Sequence, residues 1–161
     1  SAADELFPKG VRAYWKNAAL DDLSGGAIDA LIAAAEAMAP RVAGVDIHHM
    51  GEAFARVPQN ATPFPNRNAA YWVNTYGVWD APEDDDQGRG WARAAYESLR
   101  PFAMAGELVN FLGSSAGDPD AGAAALSAYG ADKLARLREL KRRWDPENVF
   151  RLNHNVAPAA G

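Results

Sequence analysis

The chain has 161 residues, 48% of them apolar, with a net charge of −5 and a pI near 5.1. This is enough chain and apolar surface for one packed core, while the acidic balance argues against a nucleic-acid partner, which calls for a basic face that displaces counterions. With no cysteine there can be no disulfide, thiolate metal site or thiol nucleophile, and no apolar run approaches the roughly 20 residues of a membrane span, so a soluble, cytoplasmic chain without nucleic-acid or membrane partners is expected.

Residues 11 to 17 set Val11, Ala13 and Trp15 against Arg12, Tyr14 and Lys16, the alternation of a half-buried strand. Ser24 can cap a helix with Ile28, Leu31, Ile32 and Ala35 at helical spacing, followed by Pro40. Gly44 to Met50 reads as a second strand, with Val45, Ile47 and His49 opposed to Asp46, His48 and Met50. Pro58, Pro63 and Pro65 keep the next stretch out of a central strand, and Ala69 to Trp79 is the third strand. The acidic run Glu83, Asp84, Asp85 and Asp86 suits the start of a helix reaching about Phe102. As a calcium loop it lacks spaced oxygen ligands and a central glycine. Leu108 to Leu112 reads as a fourth strand. Helices near residues 119 to 129 and over Asp132 to Trp144 follow, the second burying Leu134, Leu137 and Leu140, and Asp145-Pro146 stops it. The cations Lys133, Arg136, Arg138, Lys141, Arg142 and Arg143 on that helix could form an anion site but read more simply as a solvated face.

Strand, helix, two strands, helix, strand is the order of a ferredoxin-like split unit. The expected fold class is α+β, an antiparallel β-sheet with helices on one face, in ferredoxin-like βαββαβ order plus C-terminal helices. If the helices cover Val11, Trp15, Val45 and Ile47, the open face shows Tyr14, Asp46, His48, Met50, Trp72, Asn74 and Tyr76. Rings with a few orienting polar atoms suit a flat organic ligand, and equally suit packing on another domain or a second copy. His48 and His49 point to opposite faces of a strand and cannot chelate one ion, so no metal is expected.

The segment YGADKLARLRELKRRWDPENVFRLNHNVAP, Tyr129 to Pro158, resembles the terminal signature of berberine-bridge-type flavin oxidases. HHMGEAFARVPQNATPFPNR is similar to that family's Gly-Gly segment with its Pro-Phe-Pro-His-Arg, and LVNFLG to its Tyr-x-Asn-Tyr strand. The resemblance implies a substrate domain over residues 1–128 and a berberine-bridge-like helix and tail over 129–161. It also implies FAD in the full-length enzyme, on an amino-terminal FAD-binding domain that this chain lacks. No cofactor is therefore expected in this chain, and no oxidase activity from it alone. The resemblance places Tyr14, His48, Met50, Trp72, Asn74, Tyr76, Asn110 and Phe111 against a small-molecule substrate and Asn153, His154 and Asn155 on the cofactor side.

Three departures from the family pattern stand out. Phe111 occupies the position of the family's tyrosine base and has no titratable proton, Leu108 replaces the first tyrosine, and Glu52 replaces the second glycine. His48 is then a candidate base. The rival reading is a non-catalytic ligand-binding or dimerisation module, with a homodimer through the open face or the tail. Phe150, Leu152 and Val156 are expected to face water or a second copy, while Leu134, Leu137, Leu140 and Trp144 stay fixed within their own fold.

Overall fold

The computed structural model describes residues 8–38, 43–111, 121–152 and 154–160, without the side chains of 121–125 and 127. Strands β1 (Arg12–Leu20), β2 (Ala43–His49) and β3 (Tyr71–Trp79) form an antiparallel sheet in the order β1-β3-β2. Helix α1 (Gly25–Glu36) begins at Ser24, whose hydroxyl accepts from the Ala27 N–H at 3.3 Å and so satisfies one of the open donors of its first turn. Helix α2 (Asp85–Leu99) lies between 3-10 turns at Pro82–Asp84 and Arg100–Phe102, and α3 (Ala121–Trp144) is broken at the non-helical Gly130, where φ is 72° and ψ 165°, into two helical stretches, as the two expected helices require. The α+β class with an antiparallel sheet and helices is the one expected.

The expected fourth strand is not formed. Val109–Phe111 is a 3-10 turn, and Leu112 lies outside the described residues. Beside β1 stands one bridge, Ala19 to Met104. Next to it, Asn17 takes the part of a pairing strand with its side chain. Its Nδ2 donates to the Leu108 carbonyl at 3.0 Å, and its Oδ1 accepts from the Leu108 N–H at 2.8 Å. With both backbone groups of Leu108 satisfied by one side chain, a ladder is no longer required and the chain turns away.

Residues opposed in an antiparallel pair share a face. Tyr14, Lys16, Ala18 and Leu20 therefore lie with Gly77, Thr75, Val73 and Tyr71 on the helix side, and Trp15, Asn17 and Ala19 lie with Tyr76, Asn74 and Trp72 on the other. The phase expected for β1 is thus reversed. Tyr14 is buried under α2, where Arg93 Nε donates to its hydroxyl at 3.3 Å, and Trp15 belongs to the open face.

On the helix side Ala18, Leu20, Val73 and Leu99 form the core, with Leu31, Val45, Tyr96 and Phe102 packed around them. Each large aliphatic buried there stabilises the fold by about 1.5–3 kcal/mol. Thr75 Oγ1 donates to the Ala92 carbonyl at 3.1 Å, and Trp91 Nε1 ties α2 to the Ala34 carbonyl of α1 at 3.1 Å. Tyr14, Trp79 and Ala92 form a second cluster. At its rim Asp85 accepts from Arg12 at 2.5 and 2.7 Å and from Trp79 Nε1 at 2.7 Å, with Arg89 at 3.1 Å. The acidic run thus braces the start of α2 against β1. Among the described residues no group of three or more His, Asp or Glu side chains could hold a metal ion.

The proline-rich loop after β2 is built around Arg67. Its guanidinium lies 4.7 Å from the Phe54 ring centroid and 5.0 Å from that of Phe64, and its Nη2 donates to Thr62 Oγ1 at 2.9 Å. Gln59 joins the Arg67 N–H at 2.7 Å to the Pro65 carbonyl at 2.6 Å. The buried Lys133 of α3 reaches the Phe64 and Pro65 carbonyls at 2.5 and 3.2 Å. Burial, and then the nearby Arg67, push the Lys133 ammonium below its ordinary pKa. Glu52 sits in this loop at φ 51°, a left-handed conformation that favours glycine. Glu52→Gly is expected to raise stability by up to about 1 kcal/mol; a lower urea midpoint would show that the Glu52–Arg56 pair at 3.0 Å outweighs the strain.

Helix α3 also departs from expectation. Leu134 is buried and Leu137 half-buried, but Leu140 is 53% and Trp144 74% exposed. From Lys133 to Leu140 the helix lies along the loop, and its last turn extends past it. Several of the cations have separate partners: Arg136 donates to the Asn60 carbonyl at 2.7 Å, Arg142 pairs with Glu139 at 3.0 Å, and Arg143 stacks on Trp144 at 5.0 Å. Beyond α3, Asp145 accepts from the Val149 and Phe150 N–H groups at 2.7 and 3.1 Å and pairs with Lys141. These contacts, with Lys141 foremost, hold its carboxyl below the usual range. The tail presents Phe150 and Leu152 outward, at 81% and 85% exposure, while Val156 is half-buried. No helix among the described residues is long and apolar enough to cross a membrane.

Candidate functional site

The sheet face away from α1 and α2 brings together most of the side chains singled out in the sequence. Trp15 and Tyr76, opposed across β1 and β3, stack with centroids 4.1 Å apart. Such a close stack is possible because Gly44 stands opposite Tyr76 on β2, and a side chain there would meet the phenol ring. The Tyr76 hydroxyl donates to Asp46 Oδ1 at 3.4 Å, and burial, then this carboxylate, raises its pKa. The 3-10 turn held by Asn17 sets Phe111 over the same face, 5.6 Å from Trp15 and 6.4 Å from His48.

Between these rings lies a polar pair. His48 is exposed on β2, and Asn74, 2% exposed on β3, places Nδ2 3.0 Å from His48 Nε2. Asn74 Oδ1 and Trp72 Nε1 are buried without a hydrogen-bond partner among the described residues. Trp72 lies further along β3 against Ala19 and Ala69, with Met50, Phe64, Met104 and Leu108 around it, and Phe64 meets it edge-on at 5.6 Å.

The structure therefore groups His48, Trp72, Asn74, Tyr76 and Phe111 and sets Met50 at their margin. It removes Tyr14 to the opposite face and leaves Asn110 exposed at the outer side of the turn. His154 and Asn155 are half-buried in the tail, Asn155 with Oδ1 unpartnered among the described residues, and Asn153 lies outside the described residues. Sequence reading missed Trp15 and Asn17. The signal available was the ladder itself, since pairing Trp15 with Tyr76 would have aligned two rings and two asparagines.

The donor set of this face is imidazole, amide, indole, phenol and one carboxylate. Such a set suits a neutral planar ring with a hydroxyl or carbonyl group. Asp46 would repel the pyrophosphate of FAD, which calls for helix N-termini or basic groups. The face fits a ring lying beside it but not the dinucleotide as a whole.

Residues 115–157 match the family model described as Berberine and berberine like. The chain is 31% identical over 111 residues to an uncharacterized FAD-linked oxidoreductase, YvdP, of Bacillus subtilis, covering 68% of this chain and 23% of that protein. It is 34% identical over 114 residues to the FAD-linked oxidoreductase OXR1 of Pyricularia oryzae, covering 64% and 20%. The solved structure of BBE-like #28 from Arabidopsis thaliana superposes with a TM-score of 0.78 at 19% identity, over 94% of this chain and 35% of that one. The chain carries the berberine-like segment and corresponds to the C-terminal part of berberine-bridge-enzyme-like FAD-linked oxidoreductases. It spans about a quarter or less of the length of these curated relatives and about a third of the solved one.

Proposed function

We propose that the open sheet face is the substrate-side wall of an FAD-linked oxidoreductase acting on a small organic molecule, with residues 1–128 as its substrate region and 129–161 as the helix and tail that meet the flavin-bearing part through His154 and Asn155. The observation that carries this reading is the Trp15, Tyr76 and Phe111 ring wall beside the His48–Asn74 pair, on the face turned away from α1 and α2. Flavin, when bound by the rest of the protein, supplies the hydride acceptor. This chain's residues hold the substrate ring, orient its polar group and keep water from it. Phe111 at the family's tyrosine position can pack against a ring but cannot take a proton.

The test is a pair of titrations of the isolated chain followed by NMR. Benzyl alcohol, a neutral ring with one hydroxyl, is expected to shift the signals of Trp15, Tyr76, His48 and Phe111 together. Free FAD is expected to leave the chain colourless after gel filtration. Shifts spread evenly over the surface, or confined to α3 and the tail, would overturn the assignment of the face. A yellow protein that retains flavin would overturn the division of labour between the two parts.

A further inference from the structure

The contact between His48 and Asn74 carries an inference that rests on the proposed use of the open face and narrows what that face takes. Asn74 is 2% exposed on the central strand, and its amide nitrogen Nδ2 stands 3.0 Å from His48 Nε2. An amide nitrogen can only donate, so Nε2 accepts, and a neutral imidazole that accepts at one nitrogen carries its proton on the other. The buried surroundings favour the same orientation. With Nδ2 on His48, the amide atom left without a partner among the described residues is the acceptor Oδ1. The reversed amide would put N–H donors in its place, on the face where Trp72 Nε1, also a donor, already has no acceptor among the described residues. Asn74 thus selects the Nδ1–H form of the ring, and Nδ1 is the nitrogen that the exposed His48 side chain keeps for a ligand.

We infer that His48 serves this face as a hydrogen-bond donor, presenting Nδ1–H to an oxygen acceptor on the bound ring, and that Asn74 is the positioning residue that sets this polarity. In this form the only lone pair of the imidazole nitrogens is spent on Asn74, so His48 holds the ligand's oxygen and does not take its proton. The ligand class this defines is a neutral ring bearing a carbonyl, a ketone or an aldehyde. Its ring lies against Trp15, Tyr76 and Phe111 and its carbonyl oxygen accepts from Nδ1–H. A hydroxyl oxygen can accept the same bond, but its own proton then finds no acceptor on His48, so the carbonyl is held the tighter of the two. Asp46 lies two residues along the same face of β2, where it accepts from the Tyr76 hydroxyl, and its negative charge disfavours a carboxylate as the acceptor. The neighbouring His49 points to the opposite face, toward Tyr71, and cannot share the task.

The experiment uses the isolated chain and probes of one shape, acetophenone, 1-phenylethanol and ethylbenzene, which offer a carbonyl, a hydroxyl and no polar group. Long-range proton–nitrogen NMR at about pH 8.5, above the range in which an imidazole takes a second proton, is expected to show the His48 ring protonated on Nδ1 and bare on Nε2. Followed by the shifts of Trp15 and Tyr76, acetophenone is expected to bind about fivefold or more tighter than ethylbenzene, the effect of one hydrogen bond, with 1-phenylethanol between them. His48→Phe keeps a ring at this exposed position without the N–H and is expected to bring ketone and hydrocarbon within about twofold of each other. Asn74→Asp offers Nε2 only an acceptor and is expected to move the proton to Nε2 and reverse the order, alcohol before ketone. The dispersed spectrum of each variant reports that it folds, and His48→Phe carries the test if the buried substitution does not. A native neutral ring protonated on Nε2, or a ketone held no better than the hydrocarbon while Trp15 and Tyr76 still respond, overturns the inference and leaves the ring wall in place. Probes that leave Trp15 and Tyr76 unmoved overturn the proposed face and this inference together.

Discussion

Replacing Trp79 by alanine is expected to cost about 3–5 kcal/mol of stability, the range for emptying a buried large aromatic site. Trp79 is 4% exposed, packs with Tyr14 and Ala92, and lies so close to Gly88 that a methyl group there would overlap its ring. It also donates to Asp85. Urea unfolding with an unchanged slope is the measurement, and a loss under about 1 kcal/mol would mean that α2 does not depend on this ring. The pH dependence adds an independent arm. Arg12 first, then Trp79, hold the Asp85 carboxyl at about 2, below its unfolded value near 3.8. Because the folded pKa is the lower one, the stabilisation is complete above about pH 4 and is lost as pH falls toward 2. Trp79→Phe keeps most of the ring but not the N–H, so acid unfolding is expected to move to higher pH, and an unmoved acid transition would count against the Asp85 brace.

Asn17→Ala is expected to strike the site and the fold together. It orphans the N–H and the carbonyl of Leu108, and each unsatisfied buried group costs about 1–3 kcal/mol. It also frees the turn that sets Phe111 over Trp15 and His48. Hydrogen exchange should quicken at Leu108 and Phe111 well before it does in β3, and near-ultraviolet dichroism from Trp15 should fall. Retained protection at Phe111 would show that its ring contacts, not Asn17, hold the turn. Asn17→Asp keeps the acceptor for the Leu108 N–H and is expected to lie between the two.

Much of this architecture is legible in the residues. Ser24, the Asp85 region and the Asp145-Pro146 stop mark helix limits because capping and proline act locally. β2 and β3 give their faces correctly because one side of each is clearly more polar. β1 does not, since both its sides are covered, by α2 on one and by the Asn17-held turn on the other, and Tyr14 and Trp15 are equally suited to either. The fourth strand was illegible because a side chain from distant Asn17 replaces its ladder. Leu140 and Trp144 show the limit of an amphipathic pattern, which tells that a stripe can be covered but not by which segment. The tail motif, by contrast, pointed to the berberine-like segment directly.

The order of the strands has a consequence for how the chain comes together in time. β3 is the central strand and the last of the three in sequence, and among the described residues its neighbours form no ladder with any other strand. In sequence, α1, β2 and the whole Arg67 loop stand between β1 and its partner, and Arg12 pairs with Trp79, the last residue of β3. Such distant pairings must bear loop-closure entropy before any contact rewards it, which slows folding. A chain cut anywhere ahead of β3 is therefore expected to lack this sheet, and with it both the open face and the core beneath.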